Sequence, residues 1–291
     1  MILKDVRKNK IESFFIISIF ITVIMVGLYY VGIYFNFGAY SIIIAALFAF
    51  ISAFVSYYNS DKIILTLNGA RPATIEQDQL LSTILDNLCI ASGLPRPKLY
   101  VIEDSAPNAF ATGRNPEHAV ICFTTGLIEK LDKYELEGVM AHELSHIKNY
   151  DILLSTVVTV FVGLVVILSD FTFRMMIGGS KDSDSKGSAI ISIIAIVFLI
   201  LSPVFSTLMQ LAISRKREYL ADASAVEITR NPKGLQSALT KLSLDTEKLE
   251  AANKSTAHMY IVNPFKGKDI SGFFSTHPPL EKRIERLTNI S

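Results

Sequence analysis

Five consecutive residues, His142-Glu143-Leu144-Ser145-His146, have the types and spacing needed for metal-assisted hydrolysis. On an α-helix, positions i and i+4 lie about 40° apart around the axis, so both imidazoles project from one face. Such a pair can bind a single Zn2+, while a carboxylate one step along reaches a water on the metal. Zinc acidifies that water and polarises a scissile carbonyl, and the carboxylate takes the proton. The spacing therefore makes His142 and His146 metal ligands and Glu143 a general base. The set is incomplete, because a catalytic zinc usually has three protein ligands and one open position.

The helix that positions the pair is legible. Asp132 with Glu135 three residues later is a capping-box start, and the helix runs through Tyr134–Lys148. Upstream, Thr74–Ala91 is apolar at helical spacing through Leu80, Leu81, Ile84, Leu85 and Leu88. Lys98–Ile102 and Ala119–Phe123 read as short strands, with a turn-rich stretch, Ser105–Glu117, between them. The Ala119–Phe123 strand reads equally as simple buried sheet or as an edge on which an extended peptide pairs, with Ile121 at its centre.

Half of the 291 residues are hydrophobic, only 19% are charged, and the mean hydropathy is +0.39. Phe14–Phe35 and Ser41–Tyr58 are uncharged runs separated by the short Asn36–Tyr40. A bilayer core needs roughly 20 apolar residues, so the two are expected to form a membrane hairpin. A cleaved leader is disfavoured, since the first run is long and a second follows without a polar domain between. Ile152–Ser169 and Ala189–Ser214 supply a third and a fourth run, joined by the polar Gly178–Ser188. Lys4, Arg7, Lys8 and Lys10 precede the first run and Arg215, Lys216 and Arg217 follow the last. That bias places both termini and the segment 59–151 in the cytoplasm. The expected architecture is an α-helical membrane protein with four transmembrane helices and a cytoplasmic α+β zincin-type catalytic domain. Its parts are an N-terminal hairpin (1–58), a first catalytic block (59–151), a second hairpin (152–214) and a second catalytic block (215–291). A net charge of +1 gives no reason to expect a nucleic-acid partner. Cys89 and Cys122, without paired spacing, fit free thiols in a reducing compartment.

The third ligand must come from the cytoplasmic blocks, and Glu218 is the best candidate. It lies about one helical turn past the fourth run, and His146 lies roughly 9 Å of helix before the third. Antiparallel neighbouring spans bring both to a similar depth. Asp222, at i+4 from Glu218, is suited to accept the second N–H of a ligand histidine. Taken alone, the two acids read as a solvated face beside Arg215–Arg217; the nearby His pair turns the reading toward ligation.

The HELSH helix running toward a span, the later Arg217-Glu218-Tyr219-Leu220-Ala221-Asp222 segment and the four apolar runs together resemble the HtpX family. These are bacterial membrane zinc proteases related to the CAAX prenyl proteases, and the resemblance covers nearly the whole chain. It implies one Zn2+ per chain held by His142, His146 and Glu218, and protein substrates drawn from membrane or misfolded proteins at the inner membrane. It also implies a role in membrane-protein quality control. Pro107-Asn108-Ala109-Phe110-Ala111-Thr112-Gly113 resembles a family segment beside the cleft, which makes Asn108 a substrate-binding candidate. His277-Pro278-Pro279 followed by Arg283 recurs in the family as well. His277 is expected near the catalytic centre, as a donor to the oxyanion. Arg283 is expected to tie the C-terminal helix to an acid of the catalytic domain. Two other classes remain open on sequence: a transporter or structural protein with an incidental HExxH, and a membrane zinc hydrolase of a non-protein substrate. The apolar runs contain no charge, which argues against the first.

Overall fold

The computed structural model describes residues 2–34, 38, 40–160, 215–252, 255–264 and 278–290. The fourth apolar run lies outside the described residues, as does the third beyond Val160.

Helices α1 (Ile2–Tyr34) and α2 (Tyr40–Tyr58) pack against each other, and α3 (Ser60–Leu67) follows directly. Among the described residues no single helix is both long and apolar enough to cross a membrane. One bent pair, Ile42–Tyr58 with Ser60–Leu67, passes by length and composition, with a 70° turn between its halves.

The mixed α/β part begins with β1 (Arg71–Pro72) and α4 (Ile75–Ser92). Thr74 and Gln77 form a reciprocal capping box at the start of α4, and Gly93, at φ +69°, ends it. Leu81, Ile84, Leu85 and Leu88 are buried as their spacing requires. Leu80 is 42% exposed, because the buried stripe of α4 is one residue narrower than the sequence suggests.

Strands β2 (Lys98–Ile102), β3 (Ala109–Gly113) and β4 (Ala119–Thr124) complete a four-stranded sheet of order β1-β2-β4-β3. β4 runs parallel to β2 and antiparallel to β3. Two expectations are corrected here. The stretch expected to be turns contains β3, whose small residues hide its strand character. β4 is therefore an internal strand paired on both sides, Ile121 is fully buried, and no peptide can add to it.

Helix α5 (Thr125–Lys130) leads into α6 (Lys133–Lys148). Asp132 caps α6 by accepting from the N–H groups of Tyr134 and Glu135, and Glu135 returns a bond to Asp132 N–H. The same Glu135 carboxylate accepts from Ser237 Oγ and Lys241 Nζ, both at 2.6 Å. These two lie on α9 (Pro232–Leu244), which crosses α6 where glycines face backbone. A Cβ on Gly138 would sit 2.5 Å from Leu235 N, and one on Gly234 2.5 Å from Tyr134 O. Helix α8 (Arg215–Thr229) packs along α6, and α10 (Leu280–Thr288) packs on α8 and α9. The segments on either side of residues 161–214 thus share one core, with Leu136, Val139, Leu144, Ala225, Leu239 and Leu287 in the same buried cluster. Both cysteines are buried and free.

Candidate metal centre

α6 does not run straight into the third apolar run. It ends at Asn149, Tyr150 takes φ +60°, and a new helix, α7, occupies Asp151–Val160. A left-handed non-glycine residue costs about 1–2 kcal/mol, and here it has a visible consequence. The break turns Asp151 back toward the last turn of α6, where its Oδ2 accepts from His146 Nδ1 at 2.9 Å.

His142 is held the same way from the other side. Its Nδ1 lies 3.0 Å from Asp222 Oδ1, the partner expected from the i+4 spacing on α8. With each Nδ1–H donated to a carboxylate, both Nε2 lone pairs are left facing inward. The two Nε2 atoms are 3.1 Å apart, His146 Nε2 is 3.5 Å from Glu218 Oε1, and His142 Nε2 is 3.7 Å from Glu218 Oε2. A tetrahedral ion with metal–ligand bonds of about 2.0–2.1 Å separates its ligand atoms by about 3.3 Å. The triangle His142, His146 and Glu218 brackets that separation, and its chemistry, two imidazoles and a carboxylate, is that of a catalytic zinc site.

Arg283, completely buried on α10, fixes the rear of the site. Its Nε and Nη2 donate to both oxygens of Asp222, at 2.9 and 2.6 Å. Nη1 lies 3.4 Å from Glu218 Oε2 and donates to Ile261 O. This is the tie between the C-terminal helix and an acid that the sequence suggested. Burial would raise the Asp222 carboxyl, but the charge and hydrogen bonds of Arg283 and His142 hold it down at about 2. Burial, reinforced by the Arg283 charge, pushes His142 below its ordinary value. At His146 burial works in the same direction, but the Asp151 hydrogen bond and the Glu218 charge overcome it and hold the ring up at about 9. The same negative charge suits a divalent cation, which competes with that proton.

Glu143 is buried, and burial pushes its carboxyl up to about 7, with the His146 charge and the Ala111 N–H pulling it back. A base poised near neutrality can both take and return a proton. Ala111 sits on β3, the outer strand, so the sheet edge abuts the general base. β3 is further held by Ile261 N–H on Ala109 O at 2.9 Å and by Gly113 N–H on Thr156 Oγ1 at 3.3 Å. An open cleft of about 500 Å3 lies over these groups, lined by Ala111, Glu143, Ser155, His258 and Met259 among others.

Two sequence candidates take other roles or places. Asn108 is buried, and its carboxamide is committed to backbone: Nδ2 donates to Val262 O and Oδ1 accepts from Ala109 N–H and Val262 N–H. It clamps the 262 segment to the start of β3 instead of facing substrate. Ile121, as described above, is interior. His277 lies outside the described residues. Sequence reasoning missed Asp151, which sits beyond a helix break that helical periodicity cannot register. It also missed His258, one of only five histidines, in a segment without periodicity.

Residues 75–291 match the model of peptidase family M48. The chain belongs to that family. A protease HtpX homologue from Dictyoglomus thermophilum is 45% identical over 282 residues, covering 97% of this chain and 92% of that protein. One from Listeria monocytogenes is 44% identical over 262 residues, 86% of each. The crystal structure of Ste24p from S. mikatae shares the fold, with a TM-score of 0.52 at 20% identity over 98% of this chain and 67% of that one. The M48 chain is thus a metalloendopeptidase, and the resemblance to the HtpX proteases read from its motifs holds over nearly its whole length. The transporter and non-protein hydrolase readings find no relative among these.

Proposed function

We propose that this peptidase holds one Zn2+ between His142, His146 and Glu218, and that Glu143 is its general base. The observation that carries the reading is the triangle of 3.1–3.7 Å between inward-facing ligand atoms, with each histidine anchored from behind by a carboxylate. When bound, the ion supplies Lewis acidity and a water acidic enough to be deprotonated near neutrality. Glu143 takes the proton of the attacking water on its carboxylate and delivers it to the leaving amide nitrogen. Ala111 N–H orients that carboxylate, and Asp222 and Asp151 keep both imidazoles in the tautomer that presents Nε2.

Substrate is extended polypeptide from membrane or misfolded proteins, seated in the cleft over Glu143 and Ala111. The catalytic blocks work on the cytoplasmic side of an inner membrane spanned four times. Support for a lipid environment comes from α2, where Ile42, Ile43, Leu47, Phe48, Ile51 and Phe54 are each more than half exposed. Water does not tolerate an apolar face of that extent on a stable monomer. The N-terminal excess of Lys and Arg sets the orientation.

The test is cleavage of casein by the purified protein in detergent. Cleavage should stop on chelation and return with added Zn2+. Chelator-resistant cleavage, or none under any metal, would overturn the reading.

A further inference from the structure

The peptidase-family match begins at residue 75, yet a side chain far upstream of it reaches the candidate metal centre. Asn9, on α1, is 3% exposed, and its Nδ2 donates to Asp151 Oδ1 at 2.6 Å and to Asn149 O at 2.9 Å. Asp151 in turn receives His146 Nδ1 through its other oxygen. Arg217, the neighbour of Glu218, donates from Nη1 to Asn9 Oδ1 at 3.3 Å. That bond fixes the direction of the amide and leaves Nδ2 for Asp151. One residue on, Lys10 Nζ sits 4.0 Å above the ring of Tyr150, the left-handed residue at the helix break.

We propose that Asn9 is a positioning residue for the metal centre, so that the N-terminal hairpin is part of the catalytic apparatus as well as an anchor. The proposal rests on the reading of His142, His146 and Glu218 as ligands. Its logic is geometric. The α6–α7 break needs something to hold it, because the Asn149 carbonyl is released at the helix end. The Asn9 amide satisfies that carbonyl and pins Asp151 with the same nitrogen. Asp151 then holds the plane and tautomer of His146. Through Arg217 the same side chain touches the segment that carries Glu218, so one amide braces two of the three ligand arms. An aliphatic residue at position 9 could fill the space but would remove the only hydrogen bond on Asp151 Oδ1 among the described residues, leaving that oxygen to the looser contact with Arg217 Nε at 4.0 Å.

The experiment measures Zn2+ affinity of the full-length protein in detergent, by competition with a chromophoric chelator. Partners behind metal ligands typically contribute 10–100-fold in affinity. Asn9 acts one bond further out, so Asn9→Ala should weaken Zn2+ binding by about tenfold, the low end of that range. Asn9→Asp keeps the size but sets an acceptor against Asp151, and should weaken binding at least as much. Lys8→Ala, an exposed neighbour on α1, should leave affinity unchanged. In an Asp151→Ala background, Asn9→Ala should cost little more, because the path runs through Asp151. A general packing role would instead lower the melting temperature and add its effect to that of Asp151→Ala. Wild-type affinity in both Asn9 variants, or full additivity in the double variant, overturns the proposal. Failure of the wild-type protein to bind Zn2+ would instead remove the ligand assignment on which it rests.

Discussion

His142 and His146 are each backed by a carboxylate, and Glu143 between them is backed by a backbone N–H, so the three side chains can be separated by their losses. Glu143→Gln removes the base and no ligand. It should lower kcat by about 10²–10⁴ while metal analysis finds zinc content unchanged; near-wild-type turnover would remove Glu143 from the mechanism. Glu218→Ala should lose both zinc and activity, and full occupancy in that variant would place the third ligand elsewhere. Arg283→Met leaves the Asp222 carboxylate buried without its guanidinium. Breaking a buried pair costs about 3–5 kcal/mol, so the melting temperature should fall well before kcat does in the protein that remains folded. At this scale the sequence was informative wherever partners share a helix. The i, i+4 rule gave both histidines, and it gave Asp222 once Glu218 had been chosen. Asp151 and Asn9 could not be read that way, because their partners come from a helix break and from the other end of the chain.

α6 is the element on which the site depends, and it is held at its start and at its crossing. Asp132→Ala removes a cap that accepts two N–H groups and should cost about 1 kcal/mol, seen as a lower midpoint in denaturant. Gly138→Ala should cost more, since its Cβ would meet the Leu235 backbone at 2.5 Å and force α6 away from α9. A stability equal to wild type would mean that the crossing yields without strain. The capping boxes and the two apolar strands were legible because their signals are local. β3 was not: Ala109-Phe110-Ala111-Thr112-Gly113 has a single large side chain, and only its pairing with β4 makes it a strand.

For the whole molecule, an ion held as proposed would join two parts of the chain, because His142 and His146 come from α6 and Glu218 from α8. A ligand that binds only the folded state stabilises it, by about 2.7 kcal/mol at a free concentration one hundred times Kd. Chelation should therefore lower the melting temperature by several degrees, and added Zn2+ should restore it. An unchanged melting curve would mean that no ion links the two blocks.

From the sequence alone came the His-Glu-His motif, the helix that presents it and the acidic partner segment. Each depends on residues within a few positions of one another, where helix period and capping geometry fix what faces what. The tertiary structure decided the rest. It made β3 the edge and β4 the interior, because strand order depends on which chain segments meet and not on the composition of either. It turned Asn108 from a substrate contact into a clamp on Val262. It also brought Asn9, Asp151 and Arg217 behind the candidate ligands, since a left-handed break at Tyr150 redirects the chain by an angle that no periodicity encodes.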